Sequence, residues 1–364
     1  MRAAAAAQTR PLVRRPSLTR AALVLGSGGL VLSIALVMAV GVGSVDVEPM
    51  DVLAILGRRL LALPLGVSAP VSVETIIWEL RLPRVLTAML CGGALAAAGV
   101  VFQALLRNPL ADPYVIGTAA GASLGATLAL MAPLLVPALG IGAGTAWFGL
   151  GIVQLFAFAG ALGTVLLVLT VARSGGGGIV TLLLTGYAVS SVLAAGVALL
   201  MFLSGDALGA IFSWLMGSLQ GASWLELGIA TPIVATSFGL LLLRWRRLNA
   251  LLLGEAPATH LGIDVEREKL ILTVLATVAT SAVVAVTGTI GFVGLVVPHV
   301  VRLAIGPDHR LLLPASLLYG GALLALADLG ARIANGIPVG IVTALIGAPF
   351  FLWLLRRGIR DLTT

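Results

Sequence analysis

The chain has 364 residues, of which 59% are hydrophobic and 10% charged, with a mean hydropathy of +1.12 and a net charge of +7. That balance excludes a soluble globular domain with an ordinary charged surface, and the single cysteine, Cys91, excludes a disulfide framework. Lys269 is the only lysine, so the basic excess is arginine, which in such a chain bears on membrane topology and gives no reason to expect a nucleic-acid partner.

The pattern predicts an all-α polytopic membrane protein. Apolar windows bounded by Gly, Pro or charge fall at 21–43, 85–106, 115–136, 148–172, 179–203, 225–247, 269–287, 290–304, 312–327 and 337–355, which makes ten transmembrane helices. The first follows a basic tail but is too long for a signal-peptide core and lacks a small-residue cleavage site, so it counts as helix one. The eighth and ninth fall short of the ~20 residues needed to cross hydrocarbon. Tilt, burial among neighbours or a shared broken element is expected there. Residues 1–20 are expected to form an N-terminal tail, 21–357 a single membrane domain and 358–364 a C-terminal tail.

An even number of spans puts both termini on one side. Seventeen of the 22 basic residues then share that side, and only Arg58, Arg59, Arg81, Arg84 and Arg332 lie opposite. The positive-inside rule makes the termini cytoplasmic. Residues 44–84 become an outer segment, with Asp46, Glu48, Asp51, Glu74 and Glu79, long enough for short surface helices. Arg173-Ser-Gly-Gly-Gly-Gly178 is an inner link, read either as a plain connector or as a hinge. The most polar internal loop is 248–269.

Chemistry is notable by its gaps. There is no Gly-rich loop ending in Gly-Lys-Ser/Thr to cradle a nucleotide phosphate. His260, His299 and His309 are widely spaced, so neither a metal site nor a cofactor is expected, and no catalytic constellation appears. Asp112, Glu255 and Asp264 fall in loops, and Asp206, Glu226 and Asp328 at the outer ends of spans, so the carboxylates that couple transport to protons or sodium are missing from the span interiors. A transporter built this way takes its energy from a partner; an ion-coupled secondary transporter is the alternative of another class.

Several motifs occur in one register across residues 50–357. They are Arg81-Leu-Pro-Arg84 followed by the uncharged helix to Leu106 and Asn108-Pro-Leu-Ala-Asp-Pro113; Trp214-Leu-Met-Gly-Ser-Leu219; Gly288 to Arg302; Pro314-x-Ser316 with Ala327-Asp-x-x-x-Arg332; and Pro338 to Pro349. Together they resemble the permease subunits of bacterial type II ABC importers for haem, ferric siderophores and vitamin B12. One departure is Asn335-Gly-Ile-Pro338, where many members carry an acidic residue.

The resemblance implies a homodimer in the bacterial inner membrane, two ATP-binding cassette ATPase subunits on the inner face, and a periplasmic substrate-binding protein above. It makes the chain a transport subunit without an ATPase site of its own, working by alternating access. Arg81, Arg84 and Arg332 are expected to dock the binding protein, for which the planar guanidinium fork suits carboxylates. A snorkelling Arg81/Arg84 pair and an intrahelical Asp328–Arg332 ion pair are the structural alternatives. Gly254, Glu255, Ala256, Pro257, His260, Leu261 and Gly262, within a segment at about 250–266, are expected to couple to the ATPase. Asn108 and Leu110, with Ile179 and Val180, are expected to form a cytoplasmic gate. His299 and Arg302 are read as structural. The run Met216–Trp224 is similar to haem importers, and helices five and ten are almost uncharged, so haem is the expected cargo, with ferric siderophore and vitamin B12 as alternatives.

Overall fold

The computed structural model describes residues 18–43, 47–62, 70–135, 146–147, 150–176 and 178–363. Arg2, Arg10, Arg14 and Arg15 of the N-terminal tail, Asp46, and Gly177 of the glycine run lie outside the described residues. Among the described residues the structure is helical apart from a short antiparallel pairing of Ala146–Trp147 with Leu150–Gly151. Among the described residues, nine helices are long and apolar enough to cross a membrane.

In chain order the helices are α1 (Leu18–Gly41), α2 (Pro49–Leu61), α3 (Val71–Thr75), α4 (Leu82–Leu105), α5 (Thr118–Leu135), α6 (Ile152–Ser174), α7 (Ile179–Leu203), α8 (Leu208–Leu215), α9 (Trp224–Leu243), α10 (Trp245–Leu253), α11 (Glu255–His260), α12 (Val265–Thr287), α13 (Val293–Ile305), α14 (His309–Ile333) and α15 (Val339–Thr363). Each of the ten apolar windows overlaps one of them. Starts are set by side chains that accept otherwise unpaired backbone N–H groups: Ser223 for α9, Asp264 for α12 and Asp308 for α14.

Two expectations need correction. The second long helix does not begin near residue 85, because α3, a π-helical turn at Ile76–Arg81 and α4 run together from Val71 to Leu105. The ninth is not short: α14 has 25 residues. Its polar end, which reads as a terminus, stays helical and buried because Asp328 is neutralised there by two arginines. Of the helices that match the ten apolar windows, the eighth, α13, is the short one, at 13 residues. At the C-terminal end, α15 runs on through Thr363, past residue 357.

The centre of the bundle is α4, whose side chains are nearly all buried and which packs on α14, α12, α13 and α9. Small residues make this possible. A Cβ at Gly92 would overlap the Gly320 carbonyl of α14, and one at Gly99 would overlap the Gly294 carbonyl of α13, so the helices meet backbone to backbone. Such close approach replaces the hydrophobic drive that is missing between helices in lipid with dispersion contacts. The rim is different: α7 and α15 expose Val180, Leu184, Tyr187, Val192, Phe202, Leu345, Ile346 and Leu352.

Between α12 and α13 the chain leaves helical geometry at 288–292, with Gly288 at φ 69° and Phe292 at φ 69°. Broken backbone among spanning helices must find partners inside the protein. Here the Thr289 hydroxyl donates to the Leu215 carbonyl at 2.6 Å, and the Tyr114 hydroxyl donates to the Ile290 carbonyl at 3.1 Å. The Ser218 N–H donates to Thr287 at 2.8 Å. A Cβ on Gly340 would strike the Met216 carbonyl, so Trp214–Leu219, the 288–292 break and the start of α15 form one junction.

Candidate functional site

The expected site residues gather at the two ends of the bundle. At one end, Arg81 is the last residue of the π-helical turn, which turns its side chain back along α1. It is 7% exposed and donates from Nη1 to the carbonyls of Val40 and Gly41, at 3.0 and 2.9 Å. These are among the last carbonyls of α1, which lack helical partners. Three residues on, Arg84 grips Asp328 of α14 in a fork, Nη2 to Oδ1 at 2.7 Å and Nε to Oδ2 at 3.0 Å. Arg332 holds the same carboxylate at 3.3 Å and donates to Ala39 and Val42 of the α1 end at 2.5 and 3.1 Å.

The three arginines are therefore brought together around one carboxylate, 1% exposed, and one helix terminus. Of the two structural alternatives read from the sequence, the Asp328–Arg332 pair forms, with Arg84 joining it across 244 residues of chain, whereas Arg81 and Arg84 do not snorkel but are held by the α1 carbonyls and by Asp328. Arg81, Arg84 and Arg332 also line a cleft of about 830 Å³ with Gln220 and Gly336. Arg58 and Arg59 of α2 both hold Glu74 of α3, the latter at 2.8 Å. Arg59 also lies over Trp78, whose carbonyl accepts from the Trp224 indole at 2.9 Å. The contacts of Glu74 and Trp224, and that of Arg84 with Asp328, were missed in the sequence, because each joins different elements and nothing local marks the pairing.

At the other end, α10 and α11 form a short projection. Gly254 at φ 124° breaks the helix, a conformation that side chains rarely adopt, and Gly262 at φ 78° ends the next turn. Glu255, Ala256, Pro257, His260, Leu261 and Gly262 are exposed, and Gly254 partly so. Leu261 and Leu253 are 64% and 59% exposed. The projection stands on firm supports. Glu268 of α12, buried, takes Arg244 at 2.7 Å and Arg247 at 2.5 Å. Asn249 of α10 donates to Asp308 at 2.8 Å and accepts from the His309 backbone N–H at 2.9 Å, tying α10 to α14.

Asn108 and Leu110 fall together: the Asn108 side-chain oxygen accepts from the Leu110 N–H at 2.9 Å, closing the turn after α4. Arg107, at φ 48°, pays for that turn in backbone strain. Asp112 caps the following 3₁₀ turn, Pro113–Ile116, by accepting from the Tyr114 N–H at 2.9 Å. Burial pushes the Asp112 carboxyl up to about 6, with the Tyr114 N–H pulling the other way. Ile179 and Val180 start α7; Val180 is 69% exposed, and a turn or two along, Gly186 packs on Val115 and Ile116 just after the Asn108 turn. Glu255 bridges the two groups, with Lys269 at 3.1 Å and Arg107 at 3.8 Å. His299 sits edge-on to Phe350, ring centroids 6.2 Å apart, a packing role.

Two ends carrying fixed charge and a glycine-packed bundle with exposed apolar rims between them describe a multi-pass membrane protein. Residues 31–357 match the FecCD transport family in one stretch. The chain belongs to the FecCD transport family. FecCD relatives include the cobalamin import system permease of Halobacterium salinarum, 45% identical over 83% of this chain and 79% of the relative. The hemin transport system permease of Yersinia pestis is 42% identical over 77% and 83%. The Fe(3+) dicitrate permease of Escherichia coli is 40% identical over 84% and 96%. Among solved structures, an inward-facing metal-chelate type ABC transporter superposes with a TM-score of 0.76 at 30% identity, covering 92% of this chain and 99% of that one. The FecCD assignment makes this chain an ABC-importer permease, a multi-pass transport subunit, as the ordered motifs imply.

Proposed function

We propose that two copies of this chain form the ten-span-per-subunit channel of an ATP-driven importer, with the termini in the cytoplasm, and that the cargo is a chelated metal, haem first. The observation that carries the transport reading is the division of labour between the ends. One presents a compact projection, α10–α11, held rigidly to α12 and α14; the other presents a cleft ringed by Arg81, Arg84 and Arg332. The projection suits the groove of an ATPase subunit, and Glu255 joins it to the turn of Asn108 and Leu110 that we assign to the inner gate with Ile179 and Val180. The cleft suits acidic side chains of a substrate-binding protein, with Arg84 and Arg332 at its rim and Arg81 beneath them. The exposed, uncharged faces of α7 and α15 suit a two-fold axis that carries an apolar macrocycle.

The relatives' names divide among cobalamin, hemin and ferric dicitrate, so they favour the chelate class and leave its member to experiment. Haem rests on the Met216–Trp224 run and the uncharged α7. Cobalamin is the second reading, favoured by the identity to the Halobacterium salinarum permease. The test is uptake into vesicles holding the permease with its ATPase and binding protein. Haem should accumulate only with ATP. Uptake driven by a sodium or proton gradient overturns the importer, and ATP-driven uptake of cobalamin but not haem overturns the cargo.

A further inference from the structure

Trp245 opens α10 where α9 ends, and two guanidinium groups share its ring: Arg246 at 5.2 Å and Arg310 of α14 at 5.8 Å from the centroid. Neither arginine has a carboxylate partner among the described residues. The acids nearby are engaged elsewhere, Glu268 by Arg244 and Arg247, Asp308 by Asn249 and the Arg310 backbone, Glu255 and Glu266 by Lys269. Two like charges held on one ring repel each other, and stacking on the indole offsets this only in part. Behind them opens a cleft of about 570 Å³ between α1, α9 and α14, walled by Leu25, Leu242, Leu243, Leu311 and Pro314. Leu243 at its edge is 80% exposed.

A free anion would use the charges and leave the apolar walls idle; an apolar segment would use the walls and leave the charges unneutralised. A lipid with an anionic head uses both. Its depth is right as well, because a tryptophan with flanking arginines at the end of spans marks the boundary between hydrocarbon and headgroups. We propose that this cleft binds an anionic phospholipid of the inner leaflet, its phosphate shared by Arg246 and Arg310 and an acyl chain lying along α1, α9 and α14. The leaflet follows from the orientation proposed above; the binding itself does not depend on transport. The lipid steadies α10 at the membrane surface, next to the α11 projection.

The test uses the full-length permease, delipidated in mild detergent, offered phosphatidylglycerol or phosphatidylcholine and read by native mass spectrometry. Wild type is expected to retain phosphatidylglycerol over phosphatidylcholine by about thirtyfold, the effect of two arginines near an anionic headgroup. In R246Q/R310Q the preference falls to about twofold, while R173Q, a change elsewhere, keeps it. R246K/R310K, which retains charge, keeps most of the preference and guards against a folding defect. Undiminished preference in R246Q/R310Q overturns the proposal, as does a lysine pair that no longer discriminates. Displacement of the lipid by equimolar inorganic phosphate overturns the lipid assignment. Loss of ATPase association in R246Q/R310Q with lipid preference intact overturns it too and gives the arginines to a protein contact.

Discussion

Arg84 and Asp328, 244 residues apart in the chain, meet in a two-pronged contact with Nη2–Oδ1 at 2.7 Å, and Arg332 closes on the same carboxylate from one turn further along α14. The carboxylate is 1% exposed, so these two cations take the place of the water it would otherwise contact. Removing the acid leaves two guanidinium groups facing each other at the end of the bundle; removing Arg84 leaves a half-paired buried carboxylate.

Asp328→Ala is therefore expected to destabilise the permease by about 3–5 kcal/mol, the range for breaking a buried ion pair from one side. Arg84→Leu combined with Asp328→Leu should recover part of the loss, because Arg332 loses the acid but keeps the carbonyls of Ala39 and Val42. Thermal unfolding in detergent reads this directly, and a double variant no more stable than the singles would show that the pairing is not what holds α4 to α14.

That pairing was only half legible in the sequence. Ala327-Asp-x-x-x-Arg332 announces an ion pair one helical turn apart, and the structure has it. Arg84 is invisible as its third member, because a helix pattern reports which residues share a face and not which helix that face meets. The same limit explains α14 itself. A charged pair near its end reads as the edge of a span, and the arginine that α4 supplies makes those charges tolerable inside. By contrast, the ten apolar windows were readable, since each helix must be apolar enough for its own surroundings whatever its neighbours. The polar segment framed by Gly254 and Gly262 was also legible, but it reads as a loop, whereas the structure makes residues 245–253 and 255–260 the helices α10 and α11. Their supports, Glu268 and Asn249, were not legible, because each partner lies on another element.

The Gly92–Gly320 contact predicts an abrupt steric response. No Cβ fits at Gly92 without moving the backbone of α14 at Gly320. Gly92→Ala should cost about 1–3 kcal/mol, in the range for overpacking a tight interface, and Gly92→Leu should prevent stable expression. Gly163, which has open space around it, is the control: Gly163→Ala should change the melting temperature little. Equal effects at the two positions would contradict backbone-to-backbone packing of α4 on α14.

Asp112 gives a pH dependence of definite sign. Its carboxyl sits at about 6 in the folded protein, above the ordinary 3.8, so the folded state favours the protonated form. The corresponding stability is fully present below about pH 3.8 and is lost as pH rises through about 6. Asp112→Asn keeps an oxygen for the Tyr114 N–H and removes the titration. The difference in unfolding free energy, variant minus wild type, should grow more positive from pH 4 to pH 7 by roughly the amount that two pKa units allow, at most about 3 kcal/mol, and the melting temperatures should diverge in the same direction. A difference that is flat over that range would mean that Asp112 ionises as freely folded as unfolded.

Leu261 and Glu255 separate two duties of the projection. Leu261, 64% exposed, touches little of its own chain, so its loss should spare folding; an apolar side chain held out at the tip of a rigid element suits a partner's groove. Leu261→Asp is expected to leave the folding stability of the permease within about 0.5 kcal/mol of wild type, as for surface changes generally, while weakening ATPase association at least tenfold, about 1.4 kcal/mol. Glu255 lies between Lys269 and Arg107, the residue just before Asn108. Glu255→Gln should therefore keep the ATPase bound, because the exposed apolar contact survives, yet lower the cargo moved per ATP hydrolysed. Both ion pairs are open to solvent at Glu255, so the change in folding stability should stay under about 1 kcal/mol. Binding by pull-down and the uptake-to-hydrolysis ratio in vesicles tell the two apart. If Leu261→Asp binds the ATPase normally, the projection is not the docking element; if Glu255→Gln leaves the ratio unchanged, Glu255 carries no motion from the projection to the Asn108 turn.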